Sequence, residues 1–323
     1  MSVSSIRARC RKRSRDLAGF AGLIWAVAAV ASPPTAYKYR NADGNWVFTD
    51  RRPGEVAEVE EQALATRAQN PDVAVHSEKT ADGASRLIVD NRYVAPVEIL
   101  LELTGRVGVS PDVPDRVRTV VPPSTRQTVL EVYPREPRIN WSFGYDFRYM
   151  PGNPDAVHDP PVPYRAPFTP ATSFTVSQAY PSAFSHQDEE NRYAVDFAMP
   201  IGTPVYAARE GLVMEVAGQF FESGMDPAEH GSRANLVRVL HADGTMAIYA
   251  HLNWESVRVV PGAQVHRGQY IADSGNTGFS TGPHLHFVVQ RNAGFSLVSV
   301  PVKFAAGDGA AVTPRTGAEL AAY

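Results

Sequence analysis

The sequence predicts an all-β chain: an immunoglobulin-like β-sandwich followed by a second β-sheet domain. Three observations carry that prediction. From about Val73 to Tyr149, short runs rich in β-branched and aromatic residues (RLIVDNRY, VEILLELTG, QTVLEVYP, INWSFGYDFRYM) are separated by turns containing Pro and Asp. After Ser173 strand-like runs resume, punctuated by Gly202, Gly211, Gly218, Gly244, Gly262 and Gly268 where tight turns are needed. Between the two stretches lie Pro151, Pro154, Pro160, Pro161, Pro163, Pro167 and Pro170, a density that no sheet interior accepts.

Taken in order, residues 1–31 read as a secretory signal peptide. Arg7, Arg9, Arg11, Lys12, Arg13 and Arg15 precede an apolar run from Leu17 to Ala31 that ends in Ala29-Val30-Ala31, with cleavage expected near Ala31. An uncleaved anchor is the alternative, although the run is short for a membrane span. Export to the periplasm or cell envelope follows from the first reading. The single cysteine, Cys10, lies ahead of the apolar run, so the mature chain would be neither a disulfide scaffold nor a cysteine enzyme. Without residues 1–31, 25 Lys and Arg remain against 33 Asp and Glu, a formal charge of −8 that argues against nucleic acid as a partner.

Residues 32–54 contain YKYRNADGNWVFTDRRP, a small β-hairpin with an Asn-Ala-Asp-Gly turn. Residues 55–72 read as a linker or short helix without a strong apolar face. Residues 73–149 are the β-sandwich accessory domain. It has no cluster of ligating side chains, so packing or binding of an envelope partner is its expected role. Asn91, Trp141 and Tyr145 are candidates for a ligand surface, with core packing the favoured reading for the aromatics. Residues 150–170 are the Pro-rich linker, with His158 solvated. Residues 171–304 form the second domain, and residues 305–323 a loose Gly- and Ala-rich tail.

Chemistry concentrates at TGFSTGPHLHFVVQ, residues 277–290. His284 and His286 lie one residue apart at the head of a strand, so they project from one face while Leu285 points the other way. Such a pair suits a metal ligand beside a group that handles water, and it equally suits two polar residues on a solvent face. Two histidines alone fall short of a tetrahedral metal site.

The run from Asp196 to Gln290 contains DFAMPIGTPVYAA, GLVMEVAG, ANLVRVLHADGTMAIYAHL and PGAQVHRGQYIADSGNTGFSTGPHLHF. In these motifs and their order it resembles the catalytic domain of the lysostaphin/LytM-type zinc metallopeptidases, peptidoglycan endopeptidases, over about a third of the chain. The resemblance implies a LytM-like β-sheet domain of the duplicated hybrid motif type and a Zn2+ cofactor. It implies a metal-activated water that hydrolyses peptidoglycan stem or cross-link peptides. It makes Asp196 and His286 metal ligands, and His251 and His284 the catalytic histidines acting on the bound water and the attacked carbonyl. The family's remaining ligand, a His four residues before the Asp, falls on Arg192, whose guanidinium has no lone pair to offer. His186, ten residues before Asp196, is the expected substitute, with His230 as the outside choice. His241 and His266 are expected in surface turns. Two rival functions remain: a catalytically inactive LytM-like regulator that activates a cell-wall amidase, favoured by Arg192, and a zinc peptidase for another envelope substrate.

Overall fold

The computed structural model describes residues 73–181 and 185–323, and ahead of them the backbone of four short strands. The apolar run expected to form the core of a signal peptide lies outside the described residues. Strands Thr35–Arg40 and Trp46–Thr49 pair antiparallel, as the hairpin reading expects. Val59–Ala63, in the segment expected to be a linker or short helix, is instead a strand along the other edge of Thr35–Arg40. A two-stranded hairpin leaves a row of backbone groups open there, and a third strand satisfies them.

Six strands build the accessory part: β1 (Val73–Lys79), β2 (Ser85–Asn91), β3 (Val97–Val107), β4 (Arg116–Val121), β5 (Thr125–Val132) and β6 (Ser142–Pro151). β1, β2 and β5 form one antiparallel sheet, and β6, β3 and β4 lie side by side in a second whose far edge carries Ala8–Cys10. Val73, Leu87, Val89, Leu130 and Val132 from the first sheet share one core with Val97, Ile99, Leu101, Leu103 and Val121 from the second, which makes a sandwich. Its strand set does not establish an immunoglobulin topology. Asn91 is buried and donates to the carbonyls of Ala95, Val121 and Pro122. Trp141 stacks on Phe143, and the Tyr145 hydroxyl donates to the Val75 carbonyl. All three have structural roles.

The second part is organised on a nine-stranded sheet. Its strands are β7 (Ser173–Gln178), β8 (Val195–Ala198), β9 (Gly211–Ala217), β10 (Leu236–Leu240), β11 (Met246–Ala250), β12 (Gln264–Val265), β13 (His284–Asn292), β14 (Leu297–Ser299) and β15 (Glu319–Ala321). They run in the order β12-β9-β10-β11-β13-β8-β7-β15, with β14 beside β13. Alternation divides the side chains between two faces. Val195, Phe197, Tyr249, Leu285, Phe287 and Val289 enter the main core, whereas Asp196, Ile248, Ala250, His284, His286 and Val288 occupy the opposite face.

Three expected boundaries are corrected. Residues 150–170 are not a free linker: Tyr164, Ala166 and Phe168 are buried in the main core, Tyr164 pairing beside Phe304 and Phe168 beside Val205. Proline-rich chain cannot continue a sheet, yet its aromatic residues cover apolar surface well. The tail from 305 is not loose, because β15 pairs with β7 and buries Leu320 and Ala322. Nor is the sandwich separate from the second domain, since residues 72–323 belong to one compact unit. Glu98, fully buried on β3, accepts from Asn292 Nδ2 at 2.9 Å and from the Phe295 amide at 3.0 Å, and pairs with Arg118. Ala95, Met214, Met246 and Leu297 form an apolar cluster around the same junction.

Candidate metal centre

Strand register assembles the site. Asp196 on β8 stands opposite His286 on β13, and Ala198 opposite His284, so the two histidines and the carboxylate share one face. On the other side of β13, Ala250 stands opposite His286. The chain turns at the next residue, His251, which has a left-handed backbone (φ 59°). That conformation costs a non-glycine residue on the order of 1 kcal/mol, a strain of the kind functional sites retain.

His186 arrives from a surface loop. Its ring is buried and its Nε2 lies 3.2 Å from Asp196 Oδ2, while His286 Nδ1 lies 2.9 Å from Oδ1. The loop is pinned to the sheet: the Ser299 amide donates to the Glu189 carbonyl at 2.7 Å and Gln290 Nε2 to the Glu190 carbonyl at 2.8 Å. Within the loop, Asp188 accepts from the Asn191 amide at 2.8 Å. Arg192, at the position the resemblance assigns to a ligand, points its guanidinium to Glu189 at 2.7 Å, with both side chains well exposed.

His186, Asp196 and His286 each offer a ligand atom, and these atoms lie within 4.8 Å of one another. Two imidazole nitrogens and one carboxylate oxygen, with a fourth position open, fit a zinc ion. His186 Nδ1 is buried without a hydrogen-bond partner, an orphan of the kind that a bound ion or water accounts for. Burial pushes the Asp196 carboxyl up, but its hydrogen bonds with His186 and His286 outweigh that and hold it well below the usual carboxylate range.

The other two imidazoles are oriented by backbone carbonyls. His251 Nδ1 lies 2.7 Å from the Thr277 carbonyl and His284 Nδ1 2.8 Å from the Gly282 carbonyl, so each Nδ1 carries the donated proton. The rings are 4.5 Å apart between centroids, and His284 Nε2 lies 4.0 Å from Asp196 Oδ2. Burial, reinforced by the charges of His284 and His286, pushes His251 down to about 3.

All five expected residues therefore meet at one place, and the remaining histidines stay outside it. His230 is packed against Gly224 near Glu229. His266 is exposed, as expected. Two expectations are corrected: His241 is buried rather than at the surface, and His158 is half-buried with its Nε2 3.2 Å from the Tyr164 hydroxyl. In both cases the ring of Tyr164, drawn into the core, packs against the imidazole, stacked on His158 and edge-on with His241. Sequence reasoning missed Gln178, whose Nε2 donates to Asp196 Oδ2 at 2.7 Å, and the carbonyls of Thr277 and Gly282. A polar residue ending a strand carries no signal of its own, and a carbonyl none at all.

A His–Asp–His donor set on an antiparallel sheet, flanked by two imidazoles with fixed tautomers, has the layout of a hydrolytic metal site. Residues 190–296 match Peptidase family M23. That third of the chain is a Peptidase family M23 domain. It is 42% identical over 92 residues to the peptidoglycan DD-endopeptidase ShyA of Vibrio cholerae, covering 28% of this chain and 18% of that one. Lysostaphin of Staphylococcus simulans is 37% identical over 134 residues, 39% of this chain and 25% of that one. The solved catalytic domain of that lysostaphin is 32% identical, covers 39% of this chain and 83% of its own, and has a TM-score of 0.27. The chain thus spans a quarter or less of these curated relatives' length. His186 lies just before the matched region.

Proposed function

We propose that residues 171–304 act as a zinc-dependent endopeptidase on peptidoglycan stem or cross-link peptides, in a protein exported through its N-terminal segment. The observation that carries this reading is the convergence of His186, Asp196 and His286 beside the rings of His251 and His284. His186, Asp196 and His286 would hold the zinc. When bound, zinc supplies Lewis acidity that makes water acidic enough to attack a carbonyl near neutral pH. With Nδ1 engaged by Thr277 and Gly282, Nε2 is the atom of His251 and His284 that takes up or returns a proton. One ring removes the proton of the attacking water, and a protonated ring delivers it to the amine nitrogen as the C–N bond breaks. The substrate class comes from the relatives' names, so peptidoglycan stands as part of the proposal.

The amidase-activator reading draws on Arg192 at the usual ligand position, and His186 beside Asp196 weakens it. The test measures zinc per chain and peptide release from purified peptidoglycan. We expect release to be abolished by a chelator and restored by zinc. His186→Ala should lose zinc, Arg192→Ala should keep it, and His251→Ala or His284→Ala should keep zinc but lose most turnover. Zinc retained in His186→Ala and lost in Arg192→Ala would overturn the ligand assignment. Zinc-loaded protein that cuts nothing yet stimulates an amidase would favour the activator.

A further inference from the structure

We propose that Gln178 is the positioning residue that makes His186 a competent ligand despite the long loop between it and Asp196. The proposal rests on the zinc reading above and concerns what sets the geometry of that site. Gln178 ends β7, directly opposite Asp196 on β8, and a register irregularity between Val176 and Gln178 brings it there. A bulge of this kind re-aims a side chain. Gln178, Asp196 and His286 thus form a row across three adjacent strands.

The Gln178 amide grips two things at once. Its Nε2 donates to Asp196 Oδ2 at 2.7 Å, and its Oε1 accepts from the Ser185 backbone amide at 3.0 Å. The Ser185 hydroxyl lies 3.0 Å from Nε2 and 3.2 Å from Oε1. Chemistry fixes the orientation of this amide, because a carboxylate can only accept and a backbone N–H can only donate. Ser185 immediately precedes His186. One side chain therefore ties the residue before one ligand to the carboxylate of another.

A ligand four residues from Asp196 would be placed by local backbone geometry, whereas one ten residues away has more freedom to lose on ordering. The Gln178 bridge supplies that order from across the sheet. It is anchored from behind, since Thr316 Oγ1 accepts from the Ala179 amide at 2.9 Å and donates to its carbonyl at 3.2 Å, and β15 pairs along β7. Partners that orient metal ligands in this way change metal affinity by about 10- to 100-fold when removed.

The test uses the full chain. Zinc affinity is measured by competition with a chromogenic chelator for the parent, Gln178→Met, which keeps the length and loses both grips, and Gln178→Asn, which is one methylene too short to span both partners. His186→Ala and Asp196→Ala serve as site controls. The metal-free unfolding midpoint and the visible absorption of the cobalt(II)-substituted protein are recorded in parallel. We expect both Gln178 variants to bind zinc about 10- to 100-fold more weakly, with altered cobalt bands and a metal-free midpoint close to the parent's. Zinc affinity and cobalt spectrum unchanged in whichever Gln178 variant folds, with both controls losing zinc, would overturn the proposal and leave the metal centre standing. Controls that bind zinc like the parent would overturn the metal centre, and the proposal with it.

Discussion

The His241 ring is 2% exposed, its Nδ1–H donates to the Glu210 carbonyl at 2.7 Å, and its Nε2 is buried without a partner. Burial pushes it down to about 4 from an ordinary 6.5, against the opposing effect of that hydrogen bond. The folded chain therefore refuses a proton that the unfolded chain accepts. This contribution to stability is complete above about pH 6.5 and is lost as the pH falls toward 4, on the order of 3 kcal/mol for a shift of this size. His251 and His286 are also held low by burial and share the effect. Urea midpoints at pH 7 and 4.5 should fall steeply for the parent and less steeply for His241→Asn. Equal slopes would show that His241 takes no part.

At the scale of elements, the loop from 275 to 282 carries both carbonyls that orient the imidazoles of His251 and His284, and it lies very close to its neighbours. A Cβ on Gly275 would meet the Asn253 backbone at 2.6 Å, and one on Gly278, at φ 81°, would meet the Ala234 backbone at 2.7 Å. Only glycine allows that approach. The Gly278 amide also donates to the Glu222 carbonyl, and Asn276 Nδ2 lies 3.1 Å from Ser223 Oγ, so the 220s segment braces the loop. Gly278→Ala should displace the Thr277 carbonyl, releasing His251. We expect zinc content near that of the parent and turnover down by about 100-fold, the scale of loss that a misplacement of about 1 Å brings. Unchanged turnover would separate the loop from catalysis.

For the whole molecule, the junction of the sandwich with the nine-stranded sheet should couple the unfolding of the two. Glu98 is an acceptor for Asn292 and Phe295 in a dry setting, and Phe295 sits under the guanidinium groups of Arg118 and Arg148 at 5.7 and 4.9 Å. Residues 73–323 should unfold in a single calorimetric transition. Glu98→Ala, which strands two buried donors, should cost about 2–4 kcal/mol. Two separated transitions in the parent would return the sandwich to independence. A chain starting at Pro167 would lack Tyr164 and Ala166 from the main core and expose Met214, Met246 and Leu297, so it should be far less stable than one starting at Val73.

Strand periodicity and the His-Leu-His spacing were enough to place an all-β chain and put His284 and His286 on one face, because alternation is a local property of extended backbone. Asp196, His251 and His286 were legible through the motifs that carry the family resemblance. The place of His186 was open in the sequence, where a ten-residue loop has no unique path. It took the pinning of that loop by Ser299, Gln290 and Gln178, residues from 8 to 113 positions away from His186, to bring its ring to Asp196. Tertiary structure alone decided the burial of Tyr164 and His241, the docking of residues 319–322 and the Glu98 junction. In each, the partner that covers the side chain or pairs with the backbone is remote in the chain, and burial depends on where the partner arrives rather than on the residue's own identity.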